Sequence, residues 1–565
     1  MRRRVMSMLA AVTLAAAALA GQTTSASASA SASASASASA STEGRHAEAS
    51  ADSRPAASRP ADPPTEFGTD WHDPITAAPP VAKPATKSCR VTLAETEFRD
   101  FTPYKGSYTP PKGCGVRWSK VVLRLEGKVK GRQFDRLGYL HIGGVEVLRT
   151  STPEPSPDGI AWNVEKDVTR YSDTLRADQP VEMLIGNVVD DTYTGVIEVK
   201  ATLTFYAAEP HAQRRPATDT PDRVLTLDQG TLTTPRNSER IVAEVYATGS
   251  GGGCEEFWYL AVPNEVPYSC KADGGPYREV QISVDGQLAG IASPFPNVWT
   301  GGWSNPFLWY VIPAPGAFDV RPLQYDLTPF AGLLDDGRPH QVDVSVVGVP
   351  KGQSGWSAPV NVLVWQDAGS ARVTGALTGH KESEPDSSTT YTPGTDEYRL
   401  DAKGGHSLTV SGYVNTSHGR VATTVTRDLT STSTHRWTDG ENNDALKGTW
   451  TDRQTVVSGH NTLRTNRTYT MDGATTLDAD NRLRTVIELG DRAETGRATG
   501  AGGTAWTVLD DTYTGDASYT ANVPRDQRHA VGTSRERYRL TSPNGCYDRE
   551  LHTAQGALTV DRRRC

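Results

Sequence analysis

The chain has 565 residues, a net charge of −8, 36% hydrophobic residues and 22% charged ones. At about 100–200 residues per domain, two to four domains are expected. The acidic balance argues against nucleic acid as a partner, since phosphate binding calls for a basic face, and 52 glycines with 36 prolines favour strands and turns over long helices.

Met1-Arg-Arg-Arg, the apolar stretch Val5 to Ala20 and the small residues Ala18-Leu19-Ala20 predict a secretory signal peptide over 1–20, exported by the general or the twin-arginine route. No later run approaches the ~20 apolar residues of a membrane span, so the mature chain is expected to be secreted and free of the membrane. A Ser/Ala alternation followed by Pro/Ala/Glu/Ser-rich sequence predicts a disordered spacer over 21–87, because it lacks the large apolar residues that offset ordering entropy.

Six cysteines, Cys89, Cys114, Cys254, Cys270, Cys546 and Cys565, form an even set in an exported chain and suggest disulfides. Three short-range pairs (89 with 114, 254 with 270, 546 with 565) would place one staple in each β-rich block described below. The rival reading is a metal site, but no Cys-x-x-Cys or His-Glu-x-x-His occurs and the 12 histidines are scattered. No metal and no cofactor are expected.

Over 88–208, apolar and polar residues alternate as in half-buried strands. Lys120 to Glu126 reads as one strand. Phe134 to Ile142, Gly143-Gly144 and Val145 to Leu148 read as a hairpin with a glycine turn. A proline-punctuated loop, Pro153-Glu-Pro-Ser-Pro157, follows, then a strand from Val181 and a long closing strand from Gly195 to Tyr206. Residues 207–222 read as a linker. The second block, 223–368, has expected strands at Arg240 to Tyr246, Phe257 to Val262, Glu279 to Val284, Phe307 to Ile312, Gln341 to Val347 and Asn361 to Trp365. Strands this short and dense fit antiparallel sandwiches. The third block, 369–565, is Thr- and Ser-rich with thin apolar content, and is expected to be a twisted or barrel-like β domain without a legible chemical motif. The fold class is all-β: two adjacent jelly-roll-like sandwiches and a β-rich C-terminal domain.

Signatures of a nucleophilic serine and of a phosphate-binding loop are missing. Carboxylates near aromatics remain. Asp135, in a strand-like run, would share its face with Leu137 and Tyr139; it is either a structural partner of Arg132 or Arg136, or an acid/base of elevated pKa. Glu279 shares a polar face with Gln281 and Ser283, ordinarily a solvated face unless it meets the first block. Trp299, Trp303 and Trp309, with Tyr310 and Phe295, are either core residues or a platform for sugar faces.

Longer motifs carry a resemblance. Gly131-Arg-Gln-Phe-Asp-Arg136, Gly143-Gly-Val-Glu-Val-Leu-Arg-Thr-Ser-Thr152, Trp162-Asn-Val-Glu-Lys-Asp-Val-Thr-Arg170 and Gly186-Asn-Val-Val-Asp-Asp-Thr-Tyr-Thr-Gly195 resemble the plant-type peptide:N-glycanases, the A type. Phe257-Trp-Tyr259, Gly274-Gly-Pro-Tyr-Arg-Glu-Val280, Trp303-Ser-Asn-Pro-Phe307 and Pro322-Leu-Gln-Tyr-Asp-Leu-Thr-Pro329 continue it. Together they cover about Glu95 to Gln366. The resemblance implies a metal-independent amidase acting on N-glycopeptides or N-glycoproteins. It would hydrolyse the amide between the first N-acetylglucosamine and asparagine, release the glycan as a glycosylamine and leave aspartate. A more distant similarity to the bacterial F-type amidase, built of two jelly rolls, implies Asp135 as main catalytic carboxylate, Arg136 beside it and Glu279 completing an interdomain cleft. Asn187 falls near the place of a further glutamate there, with Asp190 and Asp191 close by. Trp299 and Trp303 would stack sugar or peptide, and the chain is expected to act as a monomer. Two other functions are compatible with these residues: a glycosidase cutting within the glycan core, and a glycan-binding lectin on the same scaffold.

Overall fold

A computed structural model of the chain describes residues 71–208, 220–249, 254–299, 305–351, 355–524 and 527–565. The expected signal peptide, most of the spacer, the centre of the linker and Trp303 lie outside the described residues.

The first block contains β1 (Ser88–Phe98), β2 (Tyr104–Tyr108), β3 (Trp118–Lys130), β4 (Leu137–Ile142), β5 (Val145–Ser151), β6 (Ile160–Asp167), β7 (Gln179–Ile185) and β8 (Val196–Ala207). They form two antiparallel four-stranded sheets, ordered β1-β8-β3-β6 and β2-β7-β4-β5. The period-2 pattern explains the packing: Leu123, Leu125 and Phe205 of one sheet and Leu140 and Met183 of the other share one core. The β4–β5 turn uses Gly143 and Gly144, both at positive φ, the backbone a tight hairpin requires.

The second block contains β9 (Arg223–Thr226), β10 (Thr231–Leu232), β11 (Ser238–Val245), β12 (Thr248–Gly249), β13 (Glu279–Val284), β14 (Gln287–Ala292), β15 (Leu323–Asp326), β16 (His340–Val347), β17 (Trp356–Ser357) and β18 (Val360–Gln366). Sheets β10-β16-β13-β14 and β15-β11-β18-β9 enclose Ile241, Ile282, Val284 and Val364. Two expected strands are absent. Glu255–Leu260 is a short 3-10 helix, and Pro306–Leu308 is a single 3-10 turn begun by the Asn305 side chain, which accepts from Phe307 N. The runs Phe257 to Val262 and Phe307 to Ile312 are unbroken and apolar, and such a run buries equally well as an irregular segment pressed against another layer.

That layer is the C-terminal sheet. Eleven strands from β19 (Thr374–Glu382) to β29 (Ala557–Arg563) form one antiparallel sheet, mostly a meander, with β20 (Asp386–Thr392) also pairing with the long β21 (Tyr398–Thr416). Its covered face packs on the second block. Leu408, Val410 and Leu429 join the second block's core, Tyr513 stacks on Trp309 at 4.7 Å, and Tyr519 lies 5.3 Å from Phe307.

The spacer expected over 21–87 does not extend unchanged to its C-terminal end. Trp71 stacks on Tyr310 at 4.0 Å, Ala77 is fully buried with its N–H on Glu536, and Asp73 accepts from Ala161 N. Trp71 and Ile75 supply the apolar surface that the upstream Ser/Ala sequence lacks. The sulfurs of Cys89 and Cys114, Cys254 and Cys270, and Cys546 and Cys565 are joined, with sequence separations of 25, 16 and 19.

β5 docks the first block onto the second. Arg149, buried, forms a forked pair with Glu146 (2.8 and 3.0 Å) and donates to Tyr246 O and Thr248 Oγ1, while Asn361 exchanges two hydrogen bonds with the Glu146 backbone.

Candidate active site

The β4–β5 hairpin sets the site. Leu137 pairs with Ser151 at its open end, so the residues before β4 and after β5 lie side by side. The ladder runs one step further: Thr152 N donates to Arg136 O at 2.9 Å, and Arg136 N donates to Thr152 Oγ1 at 2.9 Å. Asp135 therefore precedes β4 in a loop, not inside a strand as its pattern suggested, and the Pro153-to-Pro157 loop brings Glu154 beside it.

The loop 131–136 is held from below. Gly195 N donates to Arg132 O, and Gln133 Nε2 donates to Val188 O and Gly195 O. Gln133 Oε1 accepts from Phe134 N and from both Nε and Nη2 of Arg136. Gln133 thus fixes the buried guanidinium of Arg136.

Glu154 is 9% exposed, and its Oε1 finds no hydrogen-bond partner among the described residues. Burial pushes its carboxyl well above the usual carboxylate range. The charge of Asp135 adds to this, and Arg136 and Arg132 oppose it. Arg136 is pushed down by burial and pulled back up by Asp135, Tyr193 and Glu154. Two carboxyls and a guanidinium therefore act on one another electrostatically, and burial favours the protonated form of Glu154. Tyr193 covers this group: the guanidinium carbons of Arg132 and Arg136 lie 5.5 and 6.0 Å from its ring centre, and Phe134 lies 5.4 Å away.

The other expected site residues are placed elsewhere or serve the scaffold. Asn187 is fully buried, donating to Phe98 O and Gly195 O and accepting from Val188 N, so its amide is consumed in holding the loop. Asp190 accepts from Thr192 N and Tyr193 N at 2.7 Å each, which lowers its pKa and positions Tyr193. Asp191 is exposed beside it. Trp299 is a core residue at 5% exposure, Trp309 and Tyr310 are committed to packing against Tyr513 and Trp71, and half-buried Phe295 meets Tyr469 edge to face. Trp309 and Phe295 of the expected aromatic platform thus lie at the seam with the C-terminal sheet.

Glu279 begins β13 with Gln281 on the same face, as the alternation predicts, yet that face meets the C-terminal sheet and not the first block. Its carboxylate is fully buried and accepts from Tyr277 OH (2.7 Å) and Gln281 Nε2 (2.9 Å), and pairs with His406 Nδ1 of β21 (2.7 Å). Sequence reasoning missed Glu154; the signal was available in the hairpin register, which sets position 135 opposite the residues that follow Ser151.

The family model "Peptide N-acetyl-beta-D-glucosaminyl asparaginase amidase A" matches residues 78–383, more than half of the chain. The peptide-N4-(N-acetyl-beta-glucosaminyl)asparagine amidase A of Prunus dulcis is 31% identical over 396 residues, covering 62% of this chain and 67% of that protein. Two solved structures of PNGF-II, in C2 and P21 space groups, are each 14% identical. Their TM-scores are 0.34 and 0.32, and the aligned regions span 49% and 54% of this chain and 65% of theirs; similarity that low bears on neither mechanism nor substrate. The matched span contains both Asp135 and Glu154, and the chain belongs to the peptide N-acetyl-β-D-glucosaminyl asparaginase amidase A family, an amidase family of hydrolases.

Proposed function

We propose that the chain hydrolyses the amide joining the first N-acetylglucosamine of an N-glycan to asparagine in a secreted setting, with Asp135, Glu154 and Arg136 as its machinery. The observation that carries this reading is the Asp135–Glu154 couple, which the β4–β5 hairpin register brings together beside the buried Arg136 and in which burial raises the carboxyl of Glu154. Amide hydrolysis needs a group to take a proton from water and another to give one to the leaving nitrogen. Asp135 takes the proton of the attacking water as oxygen bonds to the side-chain carbonyl carbon. Arg136 stabilises the charge gathering on the carbonyl oxygen, a role in which one donor is worth about 3 kcal/mol. The C–N bond then breaks, Glu154 gives its proton to the departing nitrogen, and aspartate and a glycosylamine result. Tyr193 and Phe134 offer an apolar face to the sugar ring.

Three disulfides accord with an oxidising compartment, and the sequence-based signal peptide supports export. The substrate is an N-glycopeptide or N-glycoprotein.

Mass spectrometry of a defined N-glycopeptide after incubation in heavy-oxygen water tests the reading. Release of the whole glycan with asparagine becoming labelled aspartate is expected. A peptide that keeps one N-acetylglucosamine would make the chain a glycosidase, and an intact substrate would remove the amidase assignment.

A further inference from the structure

A cleft opens where the second block meets the C-terminal sheet. Phe295, Gly316 and Arg321 lie on one side and Arg467, Tyr469 and Asp511 on the other, around a cavity of about 50 Å³ that opens to solvent. Its polar floor is unevenly satisfied. Asp491 accepts a forked pair from Arg467 (2.9 and 2.6 Å) and a third bond from Arg321 (3.3 Å). Asp511, opposite Asp491 on the neighbouring strand β26 (Thr504–Thr520), is 5% exposed, and its Oδ1 has no hydrogen-bond partner among the described residues. A buried acceptor without a donor is costly and calls for an explanation. Burial pushes this carboxyl up to about 7, with Arg321 and Arg467 opposing. Nearby Glu536, whose carboxyl burial and the charge of Asp511 push up, takes the Ala77 N–H.

Beside the polar floor stands the half-buried ring of Phe295, set edge to face on the buried Tyr469 at 5.0 Å. An acceptor, a guanidinium and an aromatic face together suit a pyranose, whose hydroxyls both donate and accept and whose C–H face packs on a ring. An extended peptide is a poorer fit, because the floor is a sheet face whose main-chain groups are already paired in the ladder. The cleft stands one loop from the candidate catalytic pair: Ala317, next to Gly316, accepts from Ser151 N at 2.8 Å, and Ser151 leads through Thr152 to Glu154.

We propose that this cleft is a second carbohydrate subsite, which takes a neutral pyranose of the glycan beyond the reacting N-acetylglucosamine. The inference rests on the amidase reading for its substrate. Its test pairs two glycopeptides of one sequence, one bearing a full N-glycan and one a single N-acetylglucosamine, with wild type, Asp511→Asn and Arg321→Ala. Arg321 lies 42% exposed at the mouth, so its variant folds even if Asp511→Asn does not. For the full glycan, KM should rise about tenfold, or 1.4 kcal/mol, with kcat nearly unchanged, while the single-sugar substrate is unaffected. Saturation-transfer NMR with a free N-glycan should give a signal with wild type that both variants lose. Equal KM changes on the two substrates, no change on either, or a change that follows peptide length would overturn the subsite. Inactivity of wild type on every glycopeptide would sink the amidase reading alone, and the free-glycan signal would still decide the subsite.

Discussion

Glu279 on β13 and His406 on β21 meet in a 2.7 Å hydrogen bond, both buried, and this contact ties the second block to the C-terminal sheet. A carboxylate in that position is enclosed by Tyr277, Gln281 and the histidine, so its role in this fold is cohesive. His406→Ala is expected to lower stability by about 1–3 kcal/mol, the usual cost of stranding a buried polar group, with kcat close to wild type. Denaturant unfolding together with steady-state kinetics checks this. Collapse of kcat at unchanged stability would return Glu279 to the chemistry.

The aromatic residues divide in the same way. Trp309, fully enclosed against Tyr513, should cost about 3–5 kcal/mol on truncation to alanine. Tyr193, half-buried over the candidate site, should raise KM when changed to alanine and leave the melting temperature nearly unchanged. Thermal melts and KM for one glycopeptide separate the two; a large loss of stability in Tyr193→Ala would make it a core residue.

Glu154 also predicts a pH dependence. Its proton is bound more tightly in the folded chain than in the unfolded one, where the ordinary value is 4.5. The stability it contributes is complete below that pH and is lost as pH rises toward the folded value, because only the unfolded chain ionises freely. Glu154→Gln removes the penalty. The variant should therefore gain stability relative to wild type as pH increases above 4.5, read by unfolding at a series of pH values. In wild type, the rate should fall on the alkaline limb as the acid loses its proton.

Much of the architecture was legible where the sequence alternates. β13 runs over Glu279–Val284, matching the expected strand, and the Gly143-Gly144 hairpin formed as expected. Phe257 to Val262 and Phe307 to Ile312 misled because unbroken apolar runs have no period. Their burial comes from a sheet more than a hundred residues downstream, so nothing local could identify it. The site was half legible. Asp135 and Arg136 stand in a recognisable motif, whereas Glu154 looked like one acid in a proline loop until the Leu137–Ser151 pairing put it beside Asp135.

The Cys89–Cys114 bridge closes a separation of 25 residues that spans β1 to the loop before β3. In the chain-entropy account, its removal by a double alanine substitution should cost about 3 kcal/mol, measured by urea unfolding. An unchanged midpoint would mean that the unfolded chain is already restrained there.

The most direct test is kcat/KM on one N-glycopeptide for wild type, Asp135→Asn and Glu154→Gln, with circular dichroism to establish that each is folded. The account predicts a loss of about 10²–10⁴-fold in each variant. Near-normal turnover in either folded variant would contradict it.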